Sequence, residues 1–268
     1  MEAAISQPPA VARTPSAGPY EAPPQHRAPS QKLALHLVQT DAELRVTQEA
    51  DVLPRARSER ISRAVNVAVA TTALVVTSPV MLAVAALVKL TSRGPVLYRQ
   101  TRVGVDRRYA DRRTDQRRVH DLGGRLFEMY KFRSMVIDAE ADGKAVWAQK
   151  KDPRVTTLGR VLRKTRLDEL PQLYNVLRGD MNIVGPRPER PSIFAELREN
   201  IPQYPMRQRV KPGITGWAQI NQSYDACIDD VRRKVSYDLE YISRQSIFED
   251  LRIMSMTIPV MLFRKGGW

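Results

Sequence analysis

The chain has one cysteine, three histidines and few aromatic residues, and each scarcity excludes something. Cys227 stands alone, so no internal disulfide can form, and a reducing compartment is implied. His26, His36 and His120 are scattered, which argues against a catalytic zinc built from them. Aromatic residues make up 6% of the 268 and are not interleaved with the basic runs. The stacking platforms of a single-strand nucleic-acid binder are therefore missing. Internal repeats are absent. No apolar core with a cleavage site opens the chain, so no secretory signal is read there. Acids are also outnumbered: 29 Asp and Glu face 43 Lys and Arg, a net charge of +14. That excess calls for an anionic partner: nucleic acid, anionic lipid or a phosphorylated substrate.

Against this background one stretch stands out. Arg163-Lys164-Thr165-Arg166-Leu167-Asp168-Glu169-Leu170-Pro171 sets two adjacent carboxylates just behind three cations. The cations can hold a phosphorylated substrate. One carboxylate can attack phosphorus, and the other can hold a metal or a proton. Leu167, Leu170, Leu173, Tyr174 and Leu177 follow helical spacing. Pro171 is tolerated only in a first helical turn. The acids are thus expected at or just before a helix N-terminus, where the helix field helps keep both ionised. The competing reading is a pair of ordinary first-turn acids.

The rest of the chain falls into three parts. Residues 1–54 are rich in Pro, Ala, Ser and Gln and read as a disordered tail. Residues 55–91 hold an uncharged run from Ala64 to Leu87, long enough to cross a bilayer core. Arg55, Arg57, Arg60 and Arg63 precede it, and Lys89, Arg93, Arg99 and Arg102 follow it. Positive charge on both flanks does not orient a simple span. It suits a re-entrant helix whose two ends stay on the cytoplasmic side. Such a helix needs a break, and Ser78-Pro79 lies near its middle. Pro79 frees the carbonyl of Val75, and the Ser78 hydroxyl can satisfy a freed carbonyl. The alternative is a straight transmembrane helix with a tolerated proline.

Residues 92–268 form the third part. Val96–Gln100 and Phe127–Met135 read as strands. Between them, residues 105–122 are crowded with Arg and Asp, as an exposed loop touching lipid head groups or as a solvated insertion. Lys131 and Arg133 lie on the second strand, where a solvated face is the plainer account. Residues 138–149 read as helical. Asp152-Pro153-Arg154 is a turn, and a short helix through Leu158 and Leu162 carries Arg163 towards the acids. Gly179 is a helix stop. Two prolines flank Arg187 and stiffen its loop. A guanidinium so presented suits bidentate phosphate contact, unless it is a plain surface arginine. Helices are expected over residues 196–204 and 229–244. Residues 246–263 read as an amphipathic helix in the membrane interface, with Trp268 as an anchor. The fold class expected is α+β, mainly helical and monotopic.

The order of "YRQTRVG", "YKFRSM", "LRKTRLDELPQLYNVLRGDMNIVGPRP", "KPGITGWAQ" and "YDLEYI" after a Ser-Pro membrane helix resembles the bacterial sugar transferases. These are monotopic phosphoglycosyl transferases of the inner membrane's cytoplasmic face. The likeness runs from about Arg60 to the C-terminus and matches the family's short form. It implies Asp168 as nucleophile and Glu169 as its dyad partner, both at a Mg²⁺ ion. It implies Lys131, Arg163 and Arg187 as phosphate binders and Asp238 as a further active-site acid. Ser78 and Pro79 match the helix-breaking pair. A UDP-sugar, undecaprenyl phosphate and an anionic bilayer are the implied partners, with no nucleic acid. The tail and the Arg-rich insertion depart from the family pattern. Homo-oligomer formation and the identity of the sugar stay open. The rivals are a membrane-tethered nucleic-acid binder and a non-enzymatic scaffold for polysaccharide export.

Overall fold

The computed structural model describes residues 51–106, 123–137, 139, 152–222 and 227–263. Helices dominate. In chain order they are α1 (Glu59–Thr91), α2 (Thr157–Thr165), α3 (Gln172–Arg178), α4 (Pro191–Asn200), α5 (Trp217–Asn221), α6 (Ile228–Arg244) and α7 (Ile247–Phe263). Two short sheets accompany them. β1 (Leu97–Val103) pairs antiparallel with β2 (Leu126–Phe132), and β3 (Asn182–Val184) pairs parallel with β4 (Gly213–Thr215). The α+β, mainly helical architecture is thus the observed one.

The longest element is α1, with 33 residues and a length of about 50 Å at helical rise. Ser58 caps it, its hydroxyl accepting from the Ile61 amide at 3.4 Å. It is long and apolar enough to cross a membrane. It runs unbroken past Pro79, and the Ser78 hydroxyl donates to the Val75 carbonyl at 2.8 Å. One face packs along much of its length, through Ala70, Ala73, Leu74, Met81, Val84 and Val88. Ala70 lies against Leu173 and Val176, while Val84 and Val88 lie against Phe132 and Leu162. The opposite face is exposed: Val75 is 67% and Val76 71% exposed.

Polar stitches fix both ends. The Asn66 carboxamide donates to the Ser62 carbonyl and accepts from the Ile183 amide at 2.6 Å. The Arg63 guanidinium donates to the carbonyls of Val176 and Leu177 at the end of α3. At the far end, Arg133 donates to the Ser92 carbonyl and hydroxyl at 2.9 and 2.6 Å. Arg133 is therefore a buried cap on the helix exit rather than a solvated strand cation.

The strands expected over Val96–Gln100 and Phe127–Met135 form β1 and β2, with Tyr98 opposite Lys131. The sheet of β3 and β4 was not foreseen. Three residues are too few to show a period of two. Close backbone approach makes it possible: a side chain on Gly213 would strike the Gly185 amide. The Gly185 amide donates to the Thr215 carbonyl at 2.9 Å, and the Gly213 amide to the Pro186 carbonyl at 3.0 Å. The "KPGITG" segment thereby holds the loop that carries Arg187.

Gly179 ends α3 as expected, at φ 88° in the left-handed region. The helix expected over 196–204 starts earlier, with Pro191 in its first turn. The helices expected over 229–244 and 246–263 are α6 and α7. On α7, Ile253 is buried while Phe248 is 85% exposed. Residues 51–54, grouped with the tail, are tied down. Val52 packs on the main core, and Arg209 donates to the Asp51 carboxylate and the Val52 carbonyl. Residues 1–50, most of the Arg-rich insertion (107–122), nearly all of the stretch read as helical over 138–149, and Trp268 lie outside the described residues.

Candidate active site

The local sequence explains why the two acids are presented together. Helix α2 is capped at its start by Thr156, whose hydroxyl accepts from the Gly159 amide at 2.9 Å. It ends at Arg166, which adopts φ 60°, ψ 12°. This is the left-handed region, which L-residues other than Gly seldom enter. Among the described residues, no other non-glycine has a positive φ. The reversal starts a single 3-10 turn, Leu167–Glu169, and Pro171 then leads into α3. Asp168 and Glu169 are 6% and 8% exposed, so they are not solvated first-turn acids.

The two carboxylates have different surroundings. Glu169 is gripped. The Lys131 ammonium lies 3.0 Å from its Oε1, and Arg187 Nη2 lies 2.5 Å from the same oxygen. Arg187 Nη1 reaches Oε2 at 3.4 Å, and Arg166 Nη1 stands 4.0 Å from Oε1. Burial alone would push Glu169 up. The charges of Arg187 and Lys131 outweigh that and hold its carboxyl well below the usual range. Asp168 has no side-chain hydrogen bond or ion pair among the described residues. Its pKa is raised, first by burial and further by the Glu169 charge, against the pull of Lys131. Burial also lowers the Lys131 ammonium, with Glu169 opposing.

The helix field was expected to keep both acids ionised. The structure shows a stronger divider. Two cations commit to Glu169, and desolvation acts on Asp168. Such a separation of neighbouring carboxylates is a mark of assigned roles.

Of the predicted site residues, Lys131, Asp168, Glu169 and Arg187 converge. Arg163, half-buried in the last turn of α2, lowers Asp168 electrostatically but forms no ion pair with either acid. Asp238 is joined to the pair only indirectly, through Arg207, which donates to the Arg187 carbonyl at 3.0 Å. It is 2% exposed, and its Oδ2 accepts from Arg207 Nε at 2.6 Å. Ser78 and Pro79 lie on the exposed face of α1.

Several charged neighbours escaped the sequence reading. Glu189, two residues beyond Arg187, takes Lys234 at 3.1 Å and Arg102 at 3.7 Å. Burial would raise it, but Lys234, Arg207 and Arg102 bring its pKa down to about 2. Burial and the neighbouring Arg187 and Arg190 bring Arg102 down to about 10, against Glu189. The repeated charge in "GPRPER" was the available signal.

Mg²⁺ was expected on both acids. Among the described residues no three His, Cys, Asp or Glu side chains cluster to hold a metal. Glu169 is taken by its cations, which leaves Asp168 as the available carboxylate. One carboxylate plus substrate phosphates and water is a donor set that Mg²⁺ accepts.

The family model for bacterial sugar transferases matches residues 57–264. An Aeromonas hydrophila protein is 42% identical over 224 residues, 84% of this chain and 49% of its own length. It is named UDP-N-acetylgalactosamine-undecaprenyl-phosphate N-acetylgalactosaminephosphotransferase. The UDP-glucose:undecaprenyl-phosphate glucose-1-phosphate transferase of Escherichia coli K12 is 42% identical over 200 residues, 74% of this chain and 39% of its length. This chain therefore spans about half or less of those two relatives. The exopolysaccharide production protein PSS of Rhizobium leguminosarum is 36% identical over 214 residues, 78% of this chain and 98% of its length. With the family model covering most of the chain, the protein belongs to the bacterial sugar transferase family.

Proposed function

We propose that this protein moves a sugar 1-phosphate from a UDP-sugar to undecaprenyl phosphate, the initiating step of exopolysaccharide or glycoconjugate assembly. The observation that carries the proposal is the division of labour between two touching acids. Glu169 is spent on Lys131 and Arg187, while Asp168 beside it keeps an uncommitted carboxylate. The substrates follow the names of the relatives.

In the first step an Asp168 oxygen attacks the sugar-bearing phosphorus of the diphosphate. The bond from that phosphorus to the bridging oxygen breaks, and UMP leaves with the electron pair. An aspartyl-phosphosugar results, as with other carboxylate nucleophiles. In the second step a phosphate oxygen of undecaprenyl phosphate attacks the same phosphorus. The bond to Asp168 breaks, its carboxylate is restored, and the polyprenyl diphosphate sugar departs. Lys131 and Arg187, fixed in place by Glu169, offer their remaining donors to the transferring phosphate without further reorganisation. Mg²⁺ held by Asp168 and the diphosphate would neutralise the charge developing on the leaving phosphate.

The same proposal places the protein on the cytoplasmic face of the inner membrane with α1 re-entrant. The helix turns by a bend at Ser78-Pro79 rather than a break, since it continues there and the Ser78 hydroxyl takes the carbonyl that Pro79 frees. Ala70 and Val88 are about 27 Å apart along the helix. The face from Ala70 to Val88 packs on one body, which supports keeping both flanks on one side of the membrane. The opposite face, with Val75, Val76, Val80 and Leu82 exposed, is the part left for lipid. A cysteine placed in the N-terminal tail of a Cys227→Ser protein should resist an impermeant thiol reagent added outside the cell. Replacing Ser78-Pro79 by Ala-Leu should expose it, and labelling of the unmodified helix would show a true span.

The chemistry is tested by incubating purified protein with undecaprenyl phosphate, Mg²⁺ and a panel of UDP-sugars. UMP release with at least one sugar is expected. Silence across the panel would favour a scaffold.

A further inference from the structure

The face of α6 that carries Lys234 and Asp238 has no role in the chemistry above. These residues are one helical turn apart and so point the same way. Asp238 accepts from Arg207 Nε at 2.6 Å. Arg207 is 1% exposed and uses its other donors in two further directions. Nη1 donates to the Tyr204 hydroxyl at 2.7 Å, and Nη2 donates to the Arg187 carbonyl at 3.0 Å. One turn earlier, Lys234 holds the Glu189 carboxylate at 3.1 Å. The residues on either side of Pro188 are thus both held from one helix. β1 closes the grip: the Val103 amide donates to the Glu189 carbonyl at 2.9 Å, and Arg102 donates to the Pro188 carbonyl at 2.9 Å.

We propose that Lys234 and Asp238 are positioning residues that set the reach of Arg187 to Glu169. Asp238 acts through Arg207 and Lys234 through Glu189. The inference rests on the phosphotransfer reading only for its kinetic arm. Its physical content is independent of that reading. A guanidinium on a loop of extended backbone can swing by several ångströms. Here its own carbonyl and the residue two positions on are tied to a rigid 17-residue helix. A shift of about 1 Å at a reacting centre is enough to cost roughly 100-fold.

A structural role for these pairs makes a different prediction from a positioning role, and a double-mutant cycle separates them. Lys234→Met and Asp238→Asn should each lower kcat/KM for UMP release by about tenfold, mainly through kcat. In an Arg187→Ala background each should cost less than about twofold, because the group they position is gone. Equal losses in both backgrounds would overturn the proposal. The second measurement needs no activity. Crystal structures of the two variants should show the Arg187 guanidinium withdrawn from Glu169. Contact kept at the 2.5 Å of the parent would also overturn it. A protein that releases no UMP from any UDP-sugar yet shows the withdrawal would refute the transferase reading and keep this one.

Discussion

Of the ionic networks buried among the described residues, two make a contrast: one leaves a carboxylate without a partner and the other does not. The first joins Asp168, Glu169, Lys131 and Arg187. The second joins Arg57, Asp250 and Tyr241. In the second, Arg57 Nη1 meets Asp250 Oδ2 at 2.9 Å, and the Tyr241 hydroxyl donates to Oδ1 at 2.6 Å. Both oxygens of its one carboxylate are satisfied. The network ties the segment before α1 to α6 and α7, and it is complete. The first network has two carboxylates for its cations and satisfies one. Burial of charge is therefore not what marks a reactive site. The mark is a desolvated group left without a partner beside groups that have theirs.

The largest expected effect tests that uncommitted group. Asp168→Asn should abolish transfer, since an amide is no nucleophile at phosphorus. Folding should survive, because a turn-entry acid contributes only about 1 kcal/mol. Circular dichroism and UMP release measured on one preparation check both halves. Near-normal turnover in a folded variant would remove Asp168 from the chemistry.

Next come the cations, which sharpen the contrast within the first network. Arg187→Ala and Lys131→Ala should each cost about 3 kcal/mol of transition-state stabilisation, roughly 100-fold in kcat/KM. Arg163→Ala should cost far less, near the tenfold or smaller effect of a screened charge, because Arg163 makes no ion pair with the acids. Equal losses at all three positions would restore the sequence expectation that they act alike.

That expectation shows what the sequence could convey. Asp168 and Glu169 were legible because Pro171 and a helical run fix a helix start next to them. β1 and β2 were legible by alternation, and Gly179 by its place after the last periodic residue. The partners were not. Lys131 and Glu169 are 38 residues apart, and Arg207 and Asp238 are 31 apart. No local pattern encodes such pairs. Arg163 was expected beside the acids on its short helix and Arg187 in a loop stiffened by two prolines, yet it is Arg187 that clasps Glu169. Asp238 read as a site acid because its segment resembled one. Its burial against Arg207 appears only when the chain is folded.

Breaking the second network should do the reverse of breaking the first. Asp250→Ala strands Arg57 in a site where its side chain is 15% exposed. Removing one partner of a buried pair costs about 3–5 kcal/mol. A thermal melt should show that loss, while kcat measured well below the melting temperature should stay within about threefold of the parent. A collapse of kcat with the melt unchanged would make Arg57 and Asp250 part of the reaction.

The smallest effect is a shift along the pH axis, and its sign follows from the two acids. The nucleophile must be ionised, so activity falls as pH drops through the Asp168 pKa. That pKa is raised, with burial as the first cause and the Glu169 charge adding to it. The acid limb of the rate profile should therefore lie above the ordinary aspartate range near 3.9. Glu169→Gln removes the added negative charge and leaves Lys131 and Arg187 in place. Both of those cations lower Asp168, so its pKa should fall. The acid limb of the residual activity should move to lower pH even as the rate itself drops, because a neutral amide oxygen still accepts from Arg187 and Lys131 but holds them less tightly. Stability moves separately. Glu169 is held below its usual range, so its contribution is present above the unfolded value near 4.3 and is lost as pH falls towards the folded one. Glu169→Gln should flatten that acid loss in a chemical-denaturation series. A limb that moves upward in the variant would mean that Glu169 lowers its neighbour, and the electrostatic division between the two carboxylates would fail.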